Sequence, residues 1–318
     1  MAIYVLRRLG AVLATLVVMS LLVFLSTHAL PSNTAALILG QYSTPETRAA
    51  LEHKLGLDLP LTVQYWRWAS ALLQGDLGAS LVMERPVAPM LWDAFGRSAL
   101  LAGCTMAVVS TVGVGMGIVA AVWRGRWPDH GISMFAYAGI SVPEFYWGLV
   151  LILVFGSTFH LFPTSGAATL ADGFGTMVAH LVLPVVTLTL TLLAHVSRLT
   201  RSSMLEVLDS MYVRVARARG FPERVVILRH ALRNALLPAI TILAQDFGFL
   251  IGGIVAVEAI FAYPGLGRLL IFSLERQDLP LMQAAILVLT AVYCLANLGA
   301  DLLYGVANPR IRYAGAVE

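Results

Sequence analysis

Four acidic side chains fall inside or beside long apolar stretches, where a charge is costly and usually functional. Glu144 follows Pro143 in Ser141-Val-Pro-Glu-Phe-Tyr-Trp147, Asp246 sits in the middle of one stretch, Glu258 stands near its far end, and Asp301 lies towards the end of the last. Carboxylates so placed can line or gate a polar pathway, or they can pair with a nearby arginine or a free backbone N–H. Both readings stay open for Glu144 and Asp246. Glu258 and Asp301, closer to the stretch ends, fit structural pairing better, although Glu258 remains a pathway candidate. Other chemistry is missing. There is no His-Glu-x-x-His and no Gly-x-Ser-x-Gly, and His28, His160, His180 and His195 are too irregularly spaced to form a ligand set. Cys104 and Cys294 both lie in apolar stretches and imply neither a disulfide framework nor a metal site. No catalytic residue, metal or cofactor is expected in this chain.

ATP binding by a phosphate-binding loop is excluded by one residue type. A phosphate-binding loop needs a lysine after its glycines, and the single lysine here, Lys54, lies outside any such pattern. Energy from ATP must therefore enter through another subunit.

A second feature has binding rather than catalytic character. From Tyr212 to Arg233 the chain carries Arg214, Arg217, Arg219, Arg224, Arg229 and Arg233 against one acid, Glu223. The run reads as two short helices broken at Gly220, with glycine at the left-handed end of the first and Pro222-Glu223 in the first turn of the second. Phe221, Val225, Leu228 and Leu232 then form one apolar stripe, with Arg224 and Arg229 elsewhere around the axis. A loop that served only to orient the chain would need the arginines but neither stripe nor break. The pattern points to partner docking. Nucleic acid is a poor partner, because aromatic interleaving and a soluble basic domain are both missing.

The elements that must hold these groups are membrane helices. The 318 residues are 58% hydrophobic and 12% charged, with a mean hydropathy of +0.81, whereas soluble domains carry roughly a quarter charged residues. Six apolar stretches reach the ~20 residues that a span needs: Leu9–Leu30, Ala99–Val122, Ile132–Phe155, Val178–Val196, Ala235–Ile260 and Leu281–Val306. The expected fold is all-α and integral to the membrane. The first stretch follows Arg7 and Arg8, but it is long and lacks a small-x-small cleavage site, so it reads as a retained anchor. Arg124, Arg126, the arginines from Arg198 to Arg233, Arg310 and Arg312 share one face with Arg7 and Arg8, and the positive-inside rule makes that face cytoplasmic. Both termini then lie inside. Residues 1–30 hold the N-terminus and first span, 31–96 an external segment, and 97–318 a five-helix core with a loop at 197–234. The external segment opens on turn residues from Pro31, offers a helix after Thr44, and continues through a turn at Leu55-Gly-Leu-Asp to Val63-Gln-Tyr-Trp-Arg-Trp68. There Trp66 and Trp68 suit an interfacial belt. Gly113, Gly115, Gly117, Gly252 and Gly253 allow close helix packing. No inverted repeat is evident, which counts mildly against a secondary transporter built from one.

Read in order, these motifs resemble the inner-membrane permeases of ABC importers of the dipeptide/oligopeptide/nickel type. The resemblance covers nearly the whole chain. It runs through Arg7-Arg8, Leu55-Gly-Leu-Asp-Leu-Pro-Leu61, Gln64-Tyr65, Gly75-Asp-Leu-Gly-Ala-Ser80, Arg85-Pro-Val87, Ala216-Arg-Ala-Arg-Gly220 and Arg229-His-Ala-Leu-Arg-Asn-Ala-Leu-Leu-Pro238. It ends with Val257-Glu-Ala-Ile-Phe-Ala-Tyr-Pro-Gly-Leu-Gly-Arg268 and Asn308-Pro-Arg310. The family's cytoplasmic signature is Glu-Ala-Ala, three residues, Gly, nine residues, then Ile-x-Leu-Pro. Arg214-Val-Ala216 stands at the first part and His230-Ala-Leu-Arg233 at the last, so Ala216, Gly220 and Leu232 match strictly. The resemblance implies a coupling helix seated in a cleft of an ATPase subunit, formed by Ala216, Gly220, Phe221, Glu223, Val225, Leu228, Arg229 and Leu232. It implies an external gate or turn at Tyr263-Pro264-Gly265. It also implies a second homologous permease, two ATPase subunits holding ATP and Mg, an external solute-binding protein, and a bacterial inner membrane. The long first external segment and short N-terminus look like the first of the paired permeases.

Three functions follow as expectations. The chain is a permease subunit of an ATP-driven importer, with peptides the commonest cargo implied and nickel chelates, glutathione or opines among the others. Alternatively it is a secondary transporter working alone on an ion gradient, with Glu144 or Asp246 as carrier. A membrane-embedded enzyme is disfavoured by the missing motifs.

Overall fold

The computed structural model describes residues 2–29, 44–55 and 58–307. The turn expected at Pro31 and the Asn308-Pro-Arg310 motif lie outside them. The described residues are helical apart from loops and one extended pairing, Ala79 with Pro86. In chain order the helices are α1 (Ala2–Ala29), α2 (Pro45–Leu55), α3 (Leu61–Leu73), α4 (Val87–Val108), α5 (Val114–Val122), α6 (Trp127–Ser141) and α7 (Glu144–Leu151). There follow α8 (Phe174–Leu208), α9 (Met211–Ala218), α10 (Glu223–Val225), α11 (Leu232–Ile260), α12 (Leu266–Glu275) and α13 (Leu279–Ala307). Wide π-helical turns join α4 to α5, extend α7 to Thr158, and join α10 to α11.

Among the described residues, five helical stretches are long and apolar enough to cross a membrane, and α6 with the extended α7 makes a sixth if that bent pair is one span. Five of the six expected spans thus fall on such helices, and the third falls on the bent pair. The third is not a straight rod: its second half is bent 104° away from the line of the first. Val142 and Pro143 take extended backbone angles at the bend, because proline removes an N–H and disfavours helix in the residue before it. The second span begins earlier than expected. α4 starts at Val87, so the last ten residues assigned to the external segment are helical. The helix expected after Thr44 is present, its first turn capped by the Thr44 hydroxyl, which accepts from Thr47 N–H at 3.2 Å. α3 and α12 were not anticipated as helices.

The chain divides into two compact units, residues 1–98 with 264–295, and 99–263 with 296–318. In the first, α3 lies along α1. Tyr65 Oη is 2.9 Å from Ser20 Oγ, His28 Nε2 is 3.0 Å from Gln64 Oε1, and Phe24 meets the rings of Tyr65 and Trp68. Of the two tryptophans assigned to a belt, Trp66 is exposed. Val87, Leu91 and Ala94 of α4 form a core with Leu266 of α12 and Leu281, Ala284 and Ala285 of α13. Asp278, fully buried, caps α13 and also anchors the loop before α4. It accepts from Ser80 Oγ at 2.5 Å, Leu81 N–H at 3.2 Å and Val82 N–H at 3.3 Å.

In the second unit α8 is the central element, flanked by α5, α6, α7 and α11. Its 35 residues reach about 52 Å at ~1.5 Å per residue, well beyond the ~30 Å hydrocarbon layer. It is longer than an upright span needs, and α9 follows its C-terminal end. Leu188, Leu192 and Val196 of α8 pack with Leu101, Val109, Leu250, Ile254 and Val257. α5 approaches α8 at Gly117, where an added Cβ would sit 2.6 Å from the Ser197 carbonyl. This accounts for a glycine in the cluster assigned to packing.

Candidate functional site

The basic run folds as two short helices meeting at Gly220. Gly220 has φ +80°; its N–H donates to the Arg217 carbonyl at 2.9 Å, and Phe221 N–H reaches back to the Ala216 carbonyl at 3.4 Å. That pair of bonds is the glycine-terminated helix end of the Schellman type, and it leaves the chain turning sharply into Pro222. Arg217 bridges the turn, donating to Glu223 at 2.7 and 3.2 Å. The acceptor carboxylate raises the Arg217 pKa above its ordinary value.

Beneath the turn, Val213 and Ala216 of α9 are buried with Met204 and Leu208 of α8, and with Val226, Ala231 and Ala235. The expected stripe of Phe221, Val225, Leu228 and Leu232 is not the buried one. The π-helical turn at Val226–Ala231 inserts an extra residue into the helical repeat, so Val226 and Ala231 point inward. Val225 and Leu232 are half-buried, while Phe221 is 46% and Leu228 63% exposed. Arg229 is exposed as well. Met211, Tyr212 and Val215 add to this outward apolar surface, and an open groove runs between Tyr212, Val215, Phe221 and His230. Its walls are tied together. Tyr212 Oη accepts from Asn234 Nδ2 at 2.8 Å, and Phe221 lies against the His230 ring with centroids 5.4 Å apart.

Two of the arginines have structural duties. Arg214 donates twice to the Asp209 carbonyl, at 3.1 and 2.8 Å, and Arg217 donates to the Leu208 carbonyl at 3.4 Å. Cations there satisfy the open carbonyls at the C-terminus of α8 and complement its dipole.

The intramembrane acids separate into different settings. The Glu144 carboxylate, at the bend between α6 and α7, lies directly over the bare Cα of Gly253, where any Cβ would collide with it. Asp246 is 4% exposed; its Oδ1 is 3.6 Å from His195 Nδ1, and its Oδ2 has no hydrogen-bond partner among the described residues. Asp246 and Gly253 are seven residues apart, two turns along one face of α11, so the two carboxylates follow a common stripe with steps of about 10 Å. Glu258 does not share it. Five residues beyond Gly253 it lies about 140° around the axis, and it is fully buried. Tyr263 and Gly265, assigned to an external gate, are also buried, and Pro264 is half-buried. Tyr263 N–H closes the end of α11 on the Glu258 carbonyl at 2.9 Å, and the Pro264 carbonyl accepts from Arg97 at 2.7 Å. These three residues build a turn.

Sequence reasoning missed His195 as the neighbour of Asp246, because the pairing joins α8 to α11 across 51 positions. It missed Asp129 and Arg201 too. Their side chains meet twice, at 2.6 and 2.8 Å, and Asp129 is 3% exposed. Trp127-Pro-Asp129 was a readable helix start with an acid in its first turn, and it could have flagged Asp129.

Comparison with known proteins bears on what this arrangement serves. Residues 113–313 match the family described as binding-protein-dependent transport system inner membrane component, and residues 1–114 match its N-terminal counterpart. The glutathione transport system permease protein GsiC of Escherichia coli (strain K12) is 42% identical over 310 residues, covering 98% of this chain and 99% of that protein. The same-named protein of Salmonella paratyphi A is 42% identical over equal shares. A solved structure, described as the crystal structure of an amino acid ABC transporter with histidines, aligns with a TM-score of 0.50 at 16% identity. It covers 70% of this chain and 94% of that one, and its likeness concerns the fold alone.

Proposed function

The chain belongs to the family of binding-protein-dependent transport system inner membrane components, and is thus a multi-pass permease subunit of an ATP-driven importer rather than an enzyme. From that premise we propose that it carries di- or oligopeptides, with γ-linked peptides such as glutathione among them. The permeases of 41–43% identity named for glutathione support that cargo class. In this reading both termini and residues 197–234 lie on the cytoplasmic side. The chain forms half of a pathway with a second permease, two ATPase subunits supply ATP and Mg, and an external binding protein delivers the cargo.

The observation that carries the reading is the Gly220 turn. Its inner residues are packed into the chain while Met211, Val215, Phe221 and Leu228 stay outside. An apolar surface on a basic loop beyond the membrane is a docking face, and the missing phosphate-binding loop explains why a partner must fit there. ATP-driven closure of the ATPases would then push on residues 211–232 and, through α8 and α11, reopen the pathway to the other side. Asp246 on α11, and Glu144 on α7 with its carboxylate over Gly253 of α11, line that pathway.

The test is association. Val215→Glu places a charge on the outward face without entering the buried base. It is expected to leave the chain in the membrane and to release the ATPase subunits in co-purification. Full retention of the ATPases refutes the docking assignment. Uptake by this chain and its second permease with no ATPase present would instead favour the ion-driven transporter. The cargo class is checked by mass spectrometry of what the cognate binding protein retains.

A further inference from the structure

The surroundings of Asp246 carry an inference about which part of the cargo is recognised, and it rests on the permease reading above. Asp246 stands at the middle of α11, with Oδ2 buried and unpartnered among the described residues. Thr191 Oγ1 on α8 is buried and unpartnered in the same way. Thr191 and His195 are one turn apart and so share a face of α8, and His195 is the residue 3.6 Å from Asp246. The side chains beside this pair are not buried. The His195 side chain is 33% exposed, and Phe249, with its ring 6.5 Å from the His195 ring, is 57% exposed. A histidine backed by a carboxylate is poorly tolerated against lipid, and such groups face a bundle interior or a water-filled cavity.

The chemistry of the open capacity is specific. A carboxylate with one unused oxygen accepts hydrogen bonds and favours positive charge. A hydroxyl adds another acceptor, and an aromatic face attracts cations. An ammonium group offers three donors and one positive charge and satisfies all of these. A metal ion fits less well, since no group of three His, Cys, Asp or Glu able to hold one occurs among the described residues.

We propose that Asp246, together with Thr191 and reached past His195 and Phe249, receives the ammonium group of the cargo as it crosses the membrane. The binding protein selects the cargo, and this site then sets which end of it leads through the permease.

The experiment uses the full assembly in proteoliposomes, with alanyl-alanine, glutathione and the N-acetyl form of each as probes. In Asp246→Asn, uptake of the free-ammonium probes at limiting concentration is expected to fall roughly 10- to 100-fold, the loss of one charged hydrogen bond. Uptake of the N-acetyl forms is expected to change less than about twofold, since a neutral amide never used the charge. Thr191→Val is expected to show the same selectivity with a smaller loss. It is also the replacement test if Asp246→Asn does not assemble. Equal losses for acetylated and free probes, in a variant that still hydrolyses ATP when stimulated by the loaded binding protein, overturn the ammonium assignment. Failure of the unaltered assembly to take up any of the four probes overturns the cargo reading instead.

Discussion

Gly220 offers a clean perturbation, because its surroundings separate backbone cost from steric cost. An ideal Cβ built there meets nothing within 4 Å, yet φ is +80°. A side chain therefore has room, and the penalty falls on the left-handed backbone alone. For most L-residues that penalty is about 1–2 kcal/mol, which shifts the balance between the turned and unturned chain by about 5- to 30-fold. Asparagine visits this region several-fold more readily, whereas a β-branched residue is a genuine outlier there. Few forces oppose the loss. The Arg217–Glu223 pair is largely exposed, and such pairs contribute about 0–1 kcal/mol. The 3.4 Å bond from Phe221 to Ala216 is long.

The series Gly220→Asn, Gly220→Ala and Gly220→Val should therefore grade in effect, with asparagine mildest and valine most severe. Membrane insertion should be unchanged, because the buried base of Val213, Ala216, Val226 and Ala231 does not include residue 220. Binding-protein-stimulated ATP hydrolysis and uptake in proteoliposomes should fall together along the series. Valine should lose at least about tenfold and asparagine less than about threefold. Normal uptake in Gly220→Val would falsify the coupling assignment. Equal losses for asparagine and valine would show that something other than the backbone angle matters at this position.

Three further outcomes follow from packing. Gly253→Leu fills the space of the Glu144 carboxylate, which a single Cβ could displace by a shift of that flexible side chain, and should cost about 1–3 kcal/mol in thermal unfolding in detergent. Glu144→Ala in the same chain should restore most of it, and strictly additive effects would contradict the contact. Arg201→Gln leaves Asp129, nearly fully buried, without its two guanidinium bonds. The expected loss is about 3 kcal/mol, the low end for breaking a buried pair because Arg201 is one-third exposed; a loss below about 1 kcal/mol in the same melt refutes a structural role for the pair. Asp278→Ala removes both the cap of α13 and the acceptor for Ser80, Leu81 and Val82. Limited proteolysis should then open within residues 78–86, and unchanged protection there would mean that the loop is held by other contacts.

Much of this architecture was legible because hydropathy and punctuation are local signals. Runs of apolar residues located five long apolar helices and the bent pair, and Gly220 with Pro222 located the joint, since glycine and proline constrain the backbone wherever they stand. Two kinds of feature escaped. Wide turns such as Val226–Ala231 leave no mark in composition, so the stripe around α10 was phased as an ordinary helix, whereas Phe221 and Leu228 face outward and Val225 and Leu232 are half-buried. Long-range polar pairs escaped as well. Ser80 and Asp278 are 198 positions apart, and only folding brings them together. The bend in the third span was readable in Pro143 but was passed over, because a 24-residue apolar run already satisfied the length of a bilayer.

The basic run shows why a conspicuous sequence feature need not be the part that acts. Arginine is what the eye finds first between residues 212 and 233, yet Arg214 and Arg217 are already engaged within the chain. They satisfy carbonyls that the C-terminus of α8 cannot satisfy alone, and Arg217 holds Glu223 across the turn. Groups so occupied have little left to offer a partner, since a new contact must first replace an existing one. Capacity that neither arginine spends lies in the apolar residues that face outward, Met211, Val215, Phe221 and Leu228. Burying such side chains yields about 25 cal/mol per Å² with nothing to displace but water. On the proposed docking reading the contact is therefore partly apolar, while Arg219, Arg224, Arg229 and Arg233 stay exposed and should leave it some sensitivity to salt.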